Sequence, residues 1–147
     1  MTGSRASRPV WLVDANVWLA LSVPAHVHYA AAWGWLGTSP GSLGLCRVTQ
    51  MALLRHLTNR TIMQTAVLTV AEAWEGLDSL RGRAGVIWLE EPTGVERLWR
   101  SQMTANTPLA GAWIDAYLAA FAMAHNVGLV SFDRGFARYP DLRVEIL

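Results

Sequence analysis

Residues 11–18, WLVDANVW, run three apolar side chains into a carboxylate and place an amide two positions later. A lone carboxylate closing an apolar run is costly to bury unless something compensates it. The sequence repeats the device: VGLVSF, residues 127–132, is a second apolar run and ends at Asp133. Short continuous apolar runs bounded by turn residues read as strands buried on both faces, which is the signature of a parallel sheet. Working outward, LGLC at 43–46 follows TSPGS, VIWL at 86–89 follows RGRAG, and LRVEIL closes the chain. Each is a further strand with turn signals in front of it or none after it. Helical periodicity covers the spaces between, at Asn16–Leu21, His26–Leu36, Thr49–Leu57, Gln64–Leu80, Glu96–Met103 and Ala110–Ala124. Alternating strands and helices predict an α/β fold, a central parallel sheet of four to five strands flanked by helices on both faces. The 147 residues fit one domain, 1–147, with residues 1–8 as a frayed terminus and the loop 37–44 as the most flexible point.

Composition narrows the chemistry. The twelve positive charges are all arginine, and against eleven acids they leave a net charge of +1, which neither demands nor excludes nucleic acid. The absence of lysine removes P-loop nucleotidases, Schiff-base aldolases and phosphoaspartate receivers, because arginine cannot take over those roles, and it argues against a hydrolase of the aspartate-nucleophile type, which Asp14-Ala-Asn16 would otherwise suggest. The single Cys46 allows neither an internal disulfide nor a zinc cluster, consistent with a reducing, cytoplasmic setting. Between Arg100 and Asp133 the one formal charge is Asp115. A membrane span needs about 20 uninterrupted apolar residues. Pro108, Asp115 and the break at His125–Gly128 interrupt this one, so a buried helix followed by a buried strand explains it better.

In an open parallel sheet, ligands bind beyond the carboxyl ends of the strands. Asp14 and Asp133 both stand there, and the apolar helix carrying Asp115 leads straight into the strand that ends at Asp133. Three carboxylates drawn together repel one another, and a hard divalent cation relieves the repulsion. Such a cation can activate water and stabilise charge on a phosphodiester, which points to metal-dependent phosphoryl hydrolysis. Ordinary structural roles stand beside this reading: Asp14 as a helix cap, Asp115 as a first-turn acid facing the helix dipole, Asp133 as a turn residue before Arg134-Gly135.

In the order LVDANVWLAL, HVHYAAAWGWL, VTQMALLRHLTN, IDAYLAAFA and GLVSFDRGF, the chain resembles the PIN-domain ribonucleases that serve as VapC toxins in VapBC toxin–antitoxin pairs. The likeness runs over essentially the whole length. It implies a three-layer PIN sandwich with an acidic pocket for Mg²⁺ or Mn²⁺. It also implies a Mg²⁺-dependent endoribonuclease toxin, an RNA substrate, a cognate VapB-type antitoxin, and a homodimer or a hetero-oligomer with that antitoxin. Asp14, Asp115 and Asp133 match three of the family's metal-site acids, and Asn16 matches a polar residue supporting the first. The chain departs from the pattern at a fourth acid, because residues 47–60 hold no Asp or Glu. Thr49, Gln50 and Arg55 occupy that region, as in a branch whose helix reads T-Q-x-x-x-L-R, and Thr49 is a supporting candidate. The loss implies weaker metal binding or a single ion, and it motivates an alternative: a catalytically weak PIN module acting by RNA binding or protein assembly.

Elsewhere the residues read more plainly. Glu72, Glu75, Glu90 and Glu91 fit a solvated helix face and a strand exit, not replacements for the missing acid. The eight tryptophans fit core and interface packing. His26 and His28 fit packing or capping near the edge that carries Asp14, and Arg134 is a candidate contact for a substrate phosphate, with Arg138 farther along.

Overall fold

The computed structural model describes residues 7–105 and 111–147. The strands are β1 (Val10–Val13), β2 (Ser42–Leu45), β3 (Val86–Trp88), β4 (Gly128–Ser131) and β5 (Val144–Ile146). They form one five-stranded sheet in the order β3-β2-β1-β4-β5, and every neighbouring pair is parallel. Leu12 pairs with Gly44 and Leu129, Val13 with Val130, and Leu45 with Trp88, so β1 to β4 end nearly level. The predicted all-parallel sheet is present, at the upper end of the expected strand count.

Helices cover both faces. On one side pack α1 (Ala15–Ser22), α2 (Tyr29–Gly37), α3 (Arg47–Leu57) and α5 (Val70–Arg81), around a core with Val13, Trp18, Trp35, Leu45, Leu53 and Val130. On the other side α6 (Val95–Ala105) and α7 (Ala112–His125) close over Leu12, Phe121, Leu129 and Phe136. Successive strand residues alternate between the two cores, as the pleat requires. Gly44 shows how tightly the second face closes: a Cβ there would lie 2.4 Å from Leu89 Cδ1 and 3.0 Å from the Trp11 carbonyl.

The expected helix at Gln64–Leu80 is divided. A single turn, α4 (Arg60–Met63), runs into a 3-10 turn at Gln64–Ala66, and α5 then starts afresh at Val70. Gln64 has φ +52°, which no continuous helix tolerates, and the Thr69 hydroxyl accepts the Glu72 N–H at 3.2 Å and donates to its carboxylate at 2.9 Å. That serine- or threonine-led capping arrangement sets a new helix start inside what reads as one amphipathic run. The 37–44 loop is shorter than expected because β2 begins at Ser42, and the second helix begins at Tyr29, after a turn in which His28 N–H donates to His26 Nδ1 at 3.0 Å. Most of the expected frayed terminus, and Pro108, lie outside the described residues. Among the described residues no helix is long and apolar enough to cross a membrane.

Candidate active site

Asp14 is the residue at which β1 becomes α1. Its backbone is extended, its N–H donates to the Val130 carbonyl on the neighbouring strand at 3.0 Å, and its Oδ1 accepts the Ala15 N–H at 2.8 Å. The capping role and a site role therefore fall on the same carboxylate, leaving Oδ2 to face Ser131. The Ser131 hydroxyl, fully buried, donates to Asp14 Oδ2 at 2.7 Å. The Ser131 hydroxyl oxygen itself accepts from Asn16 Nδ2 at 3.2 Å and from the Asp133 N–H at 2.9 Å, while Asn16 Oδ1 accepts the Phe132 N–H at 3.3 Å. Asn16 thus reaches Asp14 through Ser131, and one serine ties the ends of β1 and β4 together.

Asp133 follows two residues on, exposed, its Oδ1 accepting the Gly135 N–H at 2.8 Å and opening the 3-10 turn Arg134–Arg138. Asp115 stands in the first turn of α7, half-buried. The Asp133 charge reaches both other carboxylates, and the Asp14 charge reaches Asp115. Burial raises the Asp14 pKa above its usual value, against the hydrogen bonds from Ser131 and Ala15 that lower it, and the Asp133 charge raises it further. Asp115 is pushed to about 6, first by burial and then by the charges of Asp133 and Asp14, with Arg138 pulling the other way. Side chains 101 and 119 positions from Asp14 in the chain thus come within electrostatic reach of one another.

The other candidates fall as follows. Thr49 is fully buried at the start of α3, where its hydroxyl accepts the Cys46 N–H and donates to the Cys46 carbonyl, both at 3.1 Å. It caps a helix. Arg134 is exposed, whereas Arg138 is the cation whose charge reaches Asp115, its Nε–H donating to the Gly135 carbonyl at 2.8 Å. The 3-10 turn folds Arg138 back toward the acids, which linear spacing from Asp133 does not convey. His28 stacks on Phe132 with ring centroids 4.4 Å apart, the packing role expected of it. Glu72 is engaged with Thr69, Glu90 accepts the Trp88 indole N–H, and Glu91 accepts the Tyr117 hydroxyl.

Sequence reasoning missed Ser131 and His56. A serine inside VGLVSF reads as a tolerated strand residue, and only its position opposite Asp14 gives it three polar partners. His56, near the end of α3, has a buried Nδ1 with no hydrogen-bond partner. Burial and then Arg55 lower its pKa, and the Asp14 charge raises it, so α3 brings an imidazole and no carboxylate within electrostatic reach of Asp14.

The donor set is hard oxygen, which suits Mg²⁺ or Mn²⁺. Among the described residues no group of three acidic, histidine or cysteine side chains lies close enough together to hold a metal ion by itself. Mg²⁺ does not need one, because it keeps several waters and takes one or two carboxylates together with substrate phosphate oxygens. Two part-buried aspartates, Asp14 and Asp115, with the charge of the exposed Asp133 in reach, fit such an open site.

A sandwich of this topology, with aspartates at the ends of β1 and β4 and in the intervening helix, defines a PIN domain, and the PIN-domain family model matches residues 11–142. The chain belongs to that family, in its VapC branch. It is 39% identical over 142 residues to Ribonuclease VapC41 of Mycobacterium tuberculosis, covering 92% of this chain and 97% of the relative. The fold is also that of M. tuberculosis VapC20, a structure described as a Sarcin-Ricin loop cleaving toxin, at TM-score 0.66 and 14% identity over 89% of this chain and 95% of that one. VapBC2 from Rickettsia felis, solved bound to a promoter DNA fragment, aligns at TM-score 0.67 and 13% identity, covering 94% and 98%.

Proposed function

We propose that this chain is an endoribonuclease dependent on Mg²⁺ or Mn²⁺, the cytoplasmic toxin of a type II pair. A VapB-type antitoxin silences it, and it assembles as a homodimer or as a hetero-oligomer with that antitoxin. The observation that carries the reading is the electrostatic gathering of Asp14, Asp115 and Asp133 at the carboxyl edge of the sheet. The 39% identity to a ribonuclease over nearly the whole chain supports it, and the VapBC structures among the similar folds support the antitoxin. Exposed Trp113 and Ile114, at 55% and 60%, immediately precede Asp115 and offer apolar surface to such a partner.

Asp14, Asp115 and Asp133 would hold the cation. When bound, it supplies Lewis-acid stabilisation of the phosphodiester and activation of water. Ser131 holds Asp14 in one orientation, with Asn16 fixing the serine in turn, the kind of outer-shell support that orients ligands. Burial keeps Asp14 and Asp115 poorly solvated, so their charge is available to a cation and not screened by water. Arg138 supplies positive charge within reach of Asp115 and is a candidate contact for a substrate phosphate.

A second reading has its own observation. The first turn of α3 carries Arg47, Thr49 and Gln50, all engaged with one another or with Cys46, and no acid. That favours a PIN module of weak catalysis working by RNA binding or assembly. Incubation of purified protein with total RNA separates the two. Cleavage in Mg²⁺ that is abolished by EDTA and by Asp14→Ala supports the enzyme; intact RNA in both Mg²⁺ and Mn²⁺ supports the binding module.

A further inference from the structure

The acidic site occupies one half of the sheet's carboxyl edge, and the other half carries an unabsorbed cluster. Trp88 ends β3, the outermost strand, and two guanidiniums lie over its indole. That of Arg81, from the end of α5, is 4.5 Å from the ring centroid; that of Arg47, from the first turn of α3, is 4.8 Å away. Both arginines are exposed. Among the described residues the ion pair is Glu96 with Arg100, and neither Arg47 nor Arg81 is paired with a carboxylate. Arg47 donates one N–H to Gln50 Oε1, and the acid of the cluster, Glu90, has its Oε1 engaged by the Trp88 indole N–H at 2.9 Å.

Two like charges gathered on one ring repel, and an anion bound across them relieves that repulsion. Stacking on the indole also fixes each guanidinium plane, so the remaining N–H groups are held for bidentate acceptance by phosphate oxygens. The sheet register relates the cluster to the acids. Trp88 is level with Leu45 and the ends of β1 and β4 lie in the same row, so β3 stands two strand spacings from β1, about 10 Å. Arg47 rises from the strand between them.

We propose that Arg47, Trp88 and Arg81 form a backbone-phosphate subsite for single-stranded RNA, gripping the chain beside the point where the carboxylates act. The direction of the RNA rests on the ribonuclease reading, although binding here does not require cleavage. An acidic protein segment would present a similar anion, but the shared edge with the phosphodiester-directed acids favours the nucleic acid.

The test is fluorescence anisotropy with a labelled single-stranded RNA in EDTA, using the full chain. The double variant R47Q/R81Q is expected to raise Kd by tenfold or more and to make the slope of log K against log salt shallower by about 1.4, two phosphate contacts' worth. Arg143→Gln, a guanidinium at the opposite end of the sheet where it donates to the Val10 carbonyl at the start of β1, is expected to change neither. Each single variant should give a severalfold effect, and these decide the matter if the double variant melts early. Unchanged Kd and slope in the single variants overturn the proposal, as does an equal loss of affinity for labelled polyglutamate with RNA binding intact, which would assign the face to an acidic protein. Wild-type protein that binds RNA through these arginines yet cleaves none sinks the nuclease reading and leaves the subsite standing.

Discussion

The β1–α1 and β2–α3 junctions use the same backbone device to different ends. At each, a parallel strand ends in one extended residue that starts the next helix on the same edge of the sheet. At the first that residue is Asp14, with Ser131 behind it and two further carboxylates in electrostatic reach. At the second it is Cys46, buried and closed off by Thr49, followed by a guanidinium lying over Trp88. Fold geometry alone therefore makes no active site. The side chains at and just after the strand's end set the sign of the charge on that stretch of edge.

The comparison breaks most visibly at Asp14. Asp14→Asn keeps an N-cap acceptor but removes the charge, and RNA cleavage should fall by 10² to 10³, roughly the cost of deleting one preorganised electrostatic contact; rates measured at saturating Mn²⁺ check it. Ser131→Ala comes next, with a loss of about 10- to 100-fold in activity or metal affinity and Asp14 still present, measured by titrating the metal requirement of cleavage.

The acidic half should also show itself without catalysis. Asp115 holds its proton more tightly folded, at about 6, than at its ordinary 3.8, so the stability linked to it is complete below about pH 4 and is lost as pH rises to about 6. In EDTA, the melting temperature of wild type relative to Asp115→Asn should fall across that interval and level off above it. Added Mn²⁺ at pH 7 should raise it again, because the ion binds the folded state. Smallest is the neutral junction: Thr49→Val leaves the buried Cys46 N–H without its acceptor and should cost about 1 to 2 kcal/mol of stability by denaturant melt, with cleavage per folded molecule nearly unchanged.

The two strands flanking the site were legible because VWLV and GLVS are unbroken apolar runs stopped by turn residues and followed closely by aspartate. Asp115 was legible for the opposite reason, a single charge in a helix otherwise apolar. Three features were not. The break before α5 lies in a capping contact, Thr69 with Glu72, that amphipathic periodicity overrides. Ser131 gains its meaning from a strand pairing made across more than a hundred residues. Arg138 and His56 reach the acids through a tight turn and through the packing of α3 on α1, and neither arrangement leaves a mark in local sequence.

The most direct measurement of whether the three carboxylates make one cation site is Mn²⁺ binding followed by water-proton relaxation enhancement, on wild type, Asp14→Asn, Asp115→Asn and, as a control, Glu72→Gln. The account predicts saturable binding in wild type and Glu72→Gln that is lost or weakened by at least tenfold in both aspartate variants. Equal binding in all four proteins, or none in the wild type, would contradict it.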